Sequence, residues 1–482
     1  MTPDSNPRKA RFALPLVLSA LAGCATNAAI VPLDEPAGEA LVAFSAETLP
    51  PDPIPAAWWT GFDDPLLSAL VERSLLHSPA LTIADLNVAV AEAELRRLGL
   101  NRTPDVTSQT SADFSEPAGR TEDPEWAARG SVGASWEYDA FGRIRALIEN
   151  AEASADTIIE LRRDIAVTVA SETALAYIDL RGAQRRLSVA RQNAESQAEG
   201  LDLIQTLLNN GRASQLDVDR AETIYRTTLA SIPVFQADID QAIFQLAALT
   251  GEPATQATTA FRALLTDDDG SIPELVGPLS TGTPGDMIRR RPDIRLAEAD
   301  LGGALALTAA ARANLFPQIV VNGSVSALFR PEGVFGSESG LNLGFSVGPT
   351  ISWAGPDLRR IRADIDAADG RAMVAAATYE QAVINALLDV EVSLSNYVNE
   401  RSRRTDLVAA AVAADRALEL ATLRYQEGLD DYLDVLDAQR TRLDAEDRLA
   451  VSRLETARGA VQAYRSLGGI WDDETLMAQR AG

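Results

Sequence analysis

The sequence predicts a mainly α-helical, internally duplicated protein in which each half also carries one β-hairpin of membrane-spanning length. Three observations carry that prediction. First, the chain says the same thing twice: Gly211-Arg212-Ala213-Ser214-Gln215-Leu216-Asp217-Val218 is echoed by Gly428-Leu429-Asp430-Asp431-Tyr432-Leu433-Asp434-Val435, and the segment Pro79–Pro104 by Pro292–Pro317. A unit of roughly 200 residues is far longer than the about 20–50 of a solenoid repeat, so the duplicated piece is domain-sized. Second, apolar residues recur in steps of three and four over very long runs, as in coiled-coil helices. Third, shorter stretches alternate with the two-residue period of strands.

The N-terminus reads as an address. Arg8, Lys9 and Arg11 precede a short apolar run, Phe12 to Leu21, which ends in Leu21-Ala22-Gly23-Cys24. So short a run cannot span about 30 Å of hydrocarbon, which assigns residues 1–23 to a signal peptide. The small residues before Cys24 resemble the bacterial lipobox, in which cleavage precedes a cysteine that receives a diacylglycerol. Cys24 is therefore the expected lipidation site. The alternative is ordinary cleavage beside an incidental cysteine, but Cys24 is the chain's only one and stands where a lipobox needs it. With no second cysteine there is no intramolecular disulfide. Ala25 follows, where an Asp would suggest inner-membrane retention, so outer-membrane sorting is expected. Residues 24–57, rich in Pro, Ala and acidic residues, read as a tether.

The first repeat is assigned to residues 58–270. It opens with Trp58-Trp59 and Phe62-Asp63-Asp64-Pro65-Leu66-Leu67, and a helical pattern runs to about His77. Pro79 disfavours helical backbone before it and breaks the run. A second helix covers about 80–102. A hairpin follows at about 104–139, where Val132, Ala134, Trp136 and Tyr138 share one face of the second strand. Its first strand, about 104–115, is the more polar, and Pro117, Gly119 and Pro124 make the loop. Long helices are expected over about 143–250, broken at Gly211.

The second repeat, 271–466, has its hairpin at about 317–353 and long helices at about 357–466. Ile319, Val321, Val325, Ala327 and Phe329 alternate with polar or small residues, as do Leu341, Leu343, Phe345, Val347 and Ile351. Strands of about 10 residues suit tilted membrane-spanning strands, although a soluble hairpin packed on a helix would alternate in the same way. The helical stripe Leu358, Ile361, Ile365, Ala368, Ala372, Ala375, Tyr379, Val383, Ala386, Val390, Leu394 and Tyr397 is alanine-rich and suits close packing. Residues 467–482 are assigned to a C-terminal tail.

Composition excludes several functions. A formal net charge of −26 argues against nucleic acid, which is bound through concentrated Lys and Arg. One histidine, His77, leaves little for imidazole chemistry or a histidine metal site, and its place at a helix end suits a surface or capping role. Asp267-Asp268-Asp269-Gly270 lacks the full spacing of a calcium loop and reads as a solvated turn. No nucleophile, base and metal constellation appears, so neither enzymatic activity nor a cofactor is expected.

Together these blocks resemble the TolC-like outer-membrane efflux proteins, in their NodT/OprM-like lipoprotein branch serving resistance–nodulation–division pumps. The resemblance rests on Trp58-Trp59 with Phe62 and Asp64-Pro65-Leu66-Leu67, on Asp139-Ala140-Phe141-Gly142-Arg143, and on Arg290-Arg291-Pro292-Asp293-Ile294-Arg295 with Ala297-Glu298. Asn314-Leu315-Phe316-Pro317, Tyr425 to Gly428, and Asp431 through Gln439 and Arg440 complete it. Four strands cannot close a barrel, and open strand edges cannot face lipid. The resemblance implies a homotrimer whose three copies close a 12-stranded β-barrel, with the long helices continuing as a periplasmic α-barrel. It further implies passive export of small molecules delivered by an inner-membrane pump through a periplasmic adaptor.

The resemblance also places a constriction at the periplasmic helix tips, formed by Asp434 and Asp437, by Asp217 at the equivalent place in the first half, and by Tyr425. Threefold symmetry would turn each acid into a ring that favours cations and offers carboxylates to a divalent ion. Asp217 and Asp434 also stand where first-turn acids complement a helix dipole. Some members carry a basic residue five positions after the equivalent of Tyr425; here that position is Asp430. Two other functions fit less well: a channel for type I protein secretion, and a periplasmic coiled-coil scaffold lipoprotein without a pore.

Overall fold

The computed structural model describes residues 49–115, 125–256, 261, 271–330 and 340–469. Cys24, the signal peptide, the Asp267–Gly270 turn and residues 470–482 lie outside them. The helices are α1 (Pro65–His77), α2 (Pro79–Gly99), α3 (Arg143–Asn209), α4 (Gln215–Leu249), α5 (Pro284–Arg290), α6 (Pro292–Ala313), α7 (Leu358–Gln426) and α8 (Tyr432–Ser466). The strands are β1 (Asp105–Ser115), β2 (Glu125–Tyr138), β3 (Gln318–Arg330) and β4 (Gly340–Ser352).

Local chemistry sets the boundaries. Asp64 caps α1 by accepting from the Leu66 and Leu67 amides at 2.9 and 3.0 Å, and Pro65 follows where no N–H is needed. The Asp139 carboxylate accepts from the Ile144 and Arg145 amides and starts α3. With 67 and 69 residues, α3 and α7 are rods on the order of 100 Å long. Both end at a glycine in the left-handed region, Gly211 at φ 70° and Gly428 at φ 71°. There the chain turns back into α4 and α8, each of 35 residues.

α3 is the central rod and packs against α2, α4, α6 and α8, while α7 packs against α6 and α8. Small residues let α8 approach α3. A Cβ on Gly182 would lie 2.8 Å from Leu454 Cδ1, and one on Gly200 would lie 2.7 Å from Tyr432 Oη. Of the expected α7 stripe, Ile361, Ala368, Ala372, Tyr379, Ala386, Val390, Leu394 and Tyr397 are buried, and Leu358, Ile365, Ala375 and Val383 are half-buried.

The main core lies midway along the rods, where Trp58 stacks on Tyr464 with ring centroids 5.5 Å apart. A guanidinium joins three elements beneath it. Arg291 donates to Ser466 O at 2.6 Å, pairs with both oxygens of Asp293, and reaches Asp389 at 3.3 Å. The core also extends past the boundaries read from sequence. Ile54, placed in the tether, is buried in it, and Leu467, placed in the tail, is fully buried. Ile54 stands in a segment without a period, whereas Leu467 continues the buried stripe of Ala460, Ala463 and Tyr464 just past the end of α8.

The four strands form one antiparallel sheet in the order β1-β2-β3-β4. Antiparallel partners share a face, so the registers sort the side chains. Val132 lies opposite Val325, and Val325 opposite Phe345; Ser324 lies opposite Gly133 and Ser346. One face is therefore mainly apolar and the other mainly polar, although Ser108 and Thr110 of β1 fall on the first and Val320 and Leu328 of β3 on the second.

Candidate functional site

The sheet poses the first functional question, because its apolar face is bare. Phe345 is 87% exposed, Val347 78% and Leu343 73%, joined by Val106, Phe114, Val132, Val325 and Ile351. A continuous apolar face of this kind marks contact with another apolar medium. Among the described residues no helix is long and apolar enough to cross a membrane. The opposite face carries hydroxyls and amides. Asn322 donates to Thr350 at 3.1 Å, and the Ser324 and Ser346 hydroxyls lie 2.9 Å apart. Apolar outside and polar inside is the alternation of a water-filled membrane barrel. Where the sheet meets the helices, Trp136, Tyr138 and Trp353 gather, as aromatic residues do at a membrane–water boundary. Toward the β1–β2 loop, Arg129 pairs with Asp113 at 3.7 Å on the polar face.

At the far end of the rods, a small apolar cluster binds the two hairpin tips. It joins Ile204, Val218 and Ala221 of the first half to Leu418, Tyr432, Val435 and Leu436 of the second. Asp217 closes a capping box: Ser214 Oγ lies 2.6 Å from its carboxylate, and the Ser214 amide donates to the same oxygen. Those bonds hold the Asp217 carboxyl below the usual carboxylate range. Tyr425 stands over Tyr432, with ring centroids 5.1 Å apart. Burial raises the Tyr425 hydroxyl pKa, and the Asp217 charge adds to the effect. Burial pushes Tyr432 up to about 12.

Asp434 and Asp437 lie on the exposed face of α8, turned away from the buried Val435 and Leu436. Within one copy the tip thus brings Asp217 near Tyr425, while Asp437 meets neither. Asp430 is tied to the preceding helix: Arg424 Nη2 donates to it at 2.8 Å. That ion pair lowers the Asp430 carboxyl pKa and raises that of Arg424.

Tyr432 and Gln197 were not singled out by sequence reasoning. Tyr432 sits inside the repeated motif, where its first-half counterpart, Gln215, is not aromatic, and that difference was the available signal. Gln197 is 4% exposed, one turn before Gly200, and neither end of its amide has a partner among the described residues. A single polar residue in a helical stripe carries no such signal.

Comparison with known proteins matches this geometry. The family model for outer membrane efflux proteins matches residues 70–252 and 283–469. Nodulation protein T of Rhizobium leguminosarum bv. trifolii is 30% identical over 475 residues, covering 96% of both chains. The solvent efflux pump outer membrane protein SrpC of Pseudomonas putida is 30% identical over 419 residues, covering 85% of this chain and 86% of its own. The solved structure of the outer-membrane channel OprN is 36% identical, covers 89% of this chain and 96% of its own, and superposes with a TM-score of 0.78. The bare sheet face, the polar lining and the paired rods thus have one common explanation, and the chain belongs to the outer membrane efflux protein family.

Proposed function

We propose that three copies of this chain form a passive exit duct in the outer membrane, anchored by lipid at Cys24 and by a shared barrel. The observation that carries this reading is the apolar sheet face with its two unpaired edges, β1 and β4. In lipid, open edges leave backbone groups unsatisfied at several kcal/mol each, so the sheet needs further copies to close. The polar face then lines the pore, and the rods continue it through the periplasm.

At the tips, Asp217, Asp434, Asp437 and Tyr425 form the constriction. Their rings of carboxylates hold cations and oppose anions at the aperture. The duct has no energy source of its own. An inner-membrane pump of the resistance–nodulation–division type drives export of small toxic molecules through a periplasmic adaptor docked near the tips.

The test is biochemical. The purified full-length protein should run as a heat-modifiable trimer from outer-membrane fractions, incorporate labelled palmitate unless Cys24 is replaced, and show single-channel conductance. A monomer without conductance would favour the scaffold reading instead. Deleting the gene should sensitise cells to antibiotics, dyes or solvents.

A further inference from the structure

Both halves carry the same short pattern where the sheet meets the rods. Trp136 is followed by Arg143-Ile144-Arg145, and Trp353 by Arg360-Ile361-Arg362 at the same spacing. Each member of the second set lies 217 positions after its counterpart, as Gly428 does after Gly211.

The contacts of α3 orient these arginines. Ile144 and Ala146 are both buried. At about 100° per residue they lie on opposite flanks of the helix, so Arg143 and Arg145 occupy the two faces between. Arg143 Nε donates to Glu137 Oε1 at 2.9 Å, and Glu137 shares the polar face of β2 with Ser131 and Ser135. Arg143 thus stands on the polar side of the wall. Arg145 stands on the other side, that of the bare apolar face with Trp136 and Tyr138. In the second half Ile361 is buried as Ile144 is, which places Arg362 on the side of Trp353.

Local electrostatics does not account for Arg145 and Arg362. Both are exposed and neither has an ion pair among the described residues, in a chain whose net charge is −26. Each lies near a helix N-terminus, where the dipole favours acids. Neither α3 nor α7 has an acid in its first turn, whereas α4 and α8 open with Asp217 and Asp434. An anion from outside the chain would complete both places.

We infer that Arg145 and Arg362 each bind the headgroup phosphate of an anionic phospholipid in the periplasmic leaflet, giving two lipid sites in every copy. The inference rests on the outer-membrane duct proposed above, with its polar face toward the pore, and adds a ligand to it. The aromatic rings mark the level of the membrane boundary, and the guanidiniums follow at the start of the rods, where headgroups lie. A guanidinium fork matches two phosphate oxygens. An anionic headgroup is favoured because a zwitterionic one carries a cation that opposes the arginine.

Lipid counting tests this. Purified full-length trimer, stripped of lipid in detergent, is incubated with equal amounts of dioleoylphosphatidylglycerol and dioleoylphosphatidylcholine. Native mass spectrometry then counts each lipid on the intact trimer. The parent should hold up to about six phosphatidylglycerol molecules, in several-fold preference over phosphatidylcholine. Arg145→Gln and Arg362→Gln should each remove about half of that preference, and the double variant nearly all of it. Arg145→Lys with Arg362→Lys keeps the charges and should keep most of it. Arg360→Gln, on the pore side, should leave the count at the parent's value. A parent trimer without the preference, a preference that survives the double Gln variant, or an equal loss from Arg360→Gln overturns the lipid sites and leaves the duct standing. A parent that is monomeric overturns the duct itself.

Discussion

Trp136 and Trp353 occupy equivalent places in the two halves and make the same bond, each indole donating to the main chain just before the first strand of its own hairpin. Each ring thereby fastens a strand end to the helical body. Trp136→Phe and Trp353→Phe keep the ring but leave a carbonyl without its donor, at a cost of about 1 kcal/mol each. The temperature at which the trimer band collapses on semi-native gels should fall for each and fall additively for both.

Arg291 is a buried charge that ties three helices together. It is 9% exposed and joins Ser466, Asp293 and Asp389, and a Cβ on Gly468 would come within 2.9 Å of its side chain. Arg291→Met removes the bond to the Ser466 carbonyl and two ion pairs whose carboxylates are themselves partly exposed, with an expected loss of about 1.5–3 kcal/mol. Arg291→Lys should not rescue it, since one ammonium cannot reproduce the fork. Immunoblots of outer-membrane fractions should show both variants strongly depleted.

Asp434 and Asp437 sit on the exposed face at the start of α8. Replacing both with Ala should raise single-channel conductance and weaken block by divalent cations. Unchanged conductance and block would remove the pair from the constriction. Asp437→Asn alone should carry most of the effect, because Asp434 also serves its helix N-terminus.

The Asp217 cap gives the tip a pH dependence. Its carboxyl titrates lower in the folded tip than in an unfolded chain, where about 4 is usual. The cap is therefore fully stabilising above about pH 4 and is lost as pH falls through the depressed value. Hydrogen exchange of residues 214–218, corrected for intrinsic rates, should lose protection on acidification. Ser214→Ala should lower protection at neutral pH and flatten the dependence.

Arg129 is the one basic side chain described on the polar sheet face, and it is shared with Asp113 near the loop end of the barrel. A unit charge about 6 Å from a passing ion in water changes its local concentration about threefold. Asp113→Asn should shift the reversal potential in a salt gradient toward anions, Arg129→Gln toward cations, and the double variant should return near the parent.

The rods and hairpins were legible because both are periodic over many residues. The strand alternation at Val325–Phe329 and Leu341–Val347, and the alanine stripe from Ala368 to Ala386, each repeat a physical requirement often enough to stand out. The inclusion of Ile54 in the core was not legible, since it stands in a segment without a period and its burial depends on distant partners. The same holds for Arg424. Its bond to Asp430 crosses the turn between α7 and α8, and only the left-handed Gly428 between them brings the two side chains together. Gln197 is hidden for the opposite reason: its lack of partners is a property of the packed interface, which no local pattern encodes.

The bare apolar sheet bears on biogenesis. The Trp58 core buries itself and can form in water, but the hairpins expose a face that water disfavours and edges that invite strange strands. A newly exported copy must therefore travel with its strands escorted or unformed, and complete its sheet only where lipid and two siblings arrive together. For this chain the last step of folding and the first step of assembly are one event, so an isolated protomer has no complete native state to be measured against.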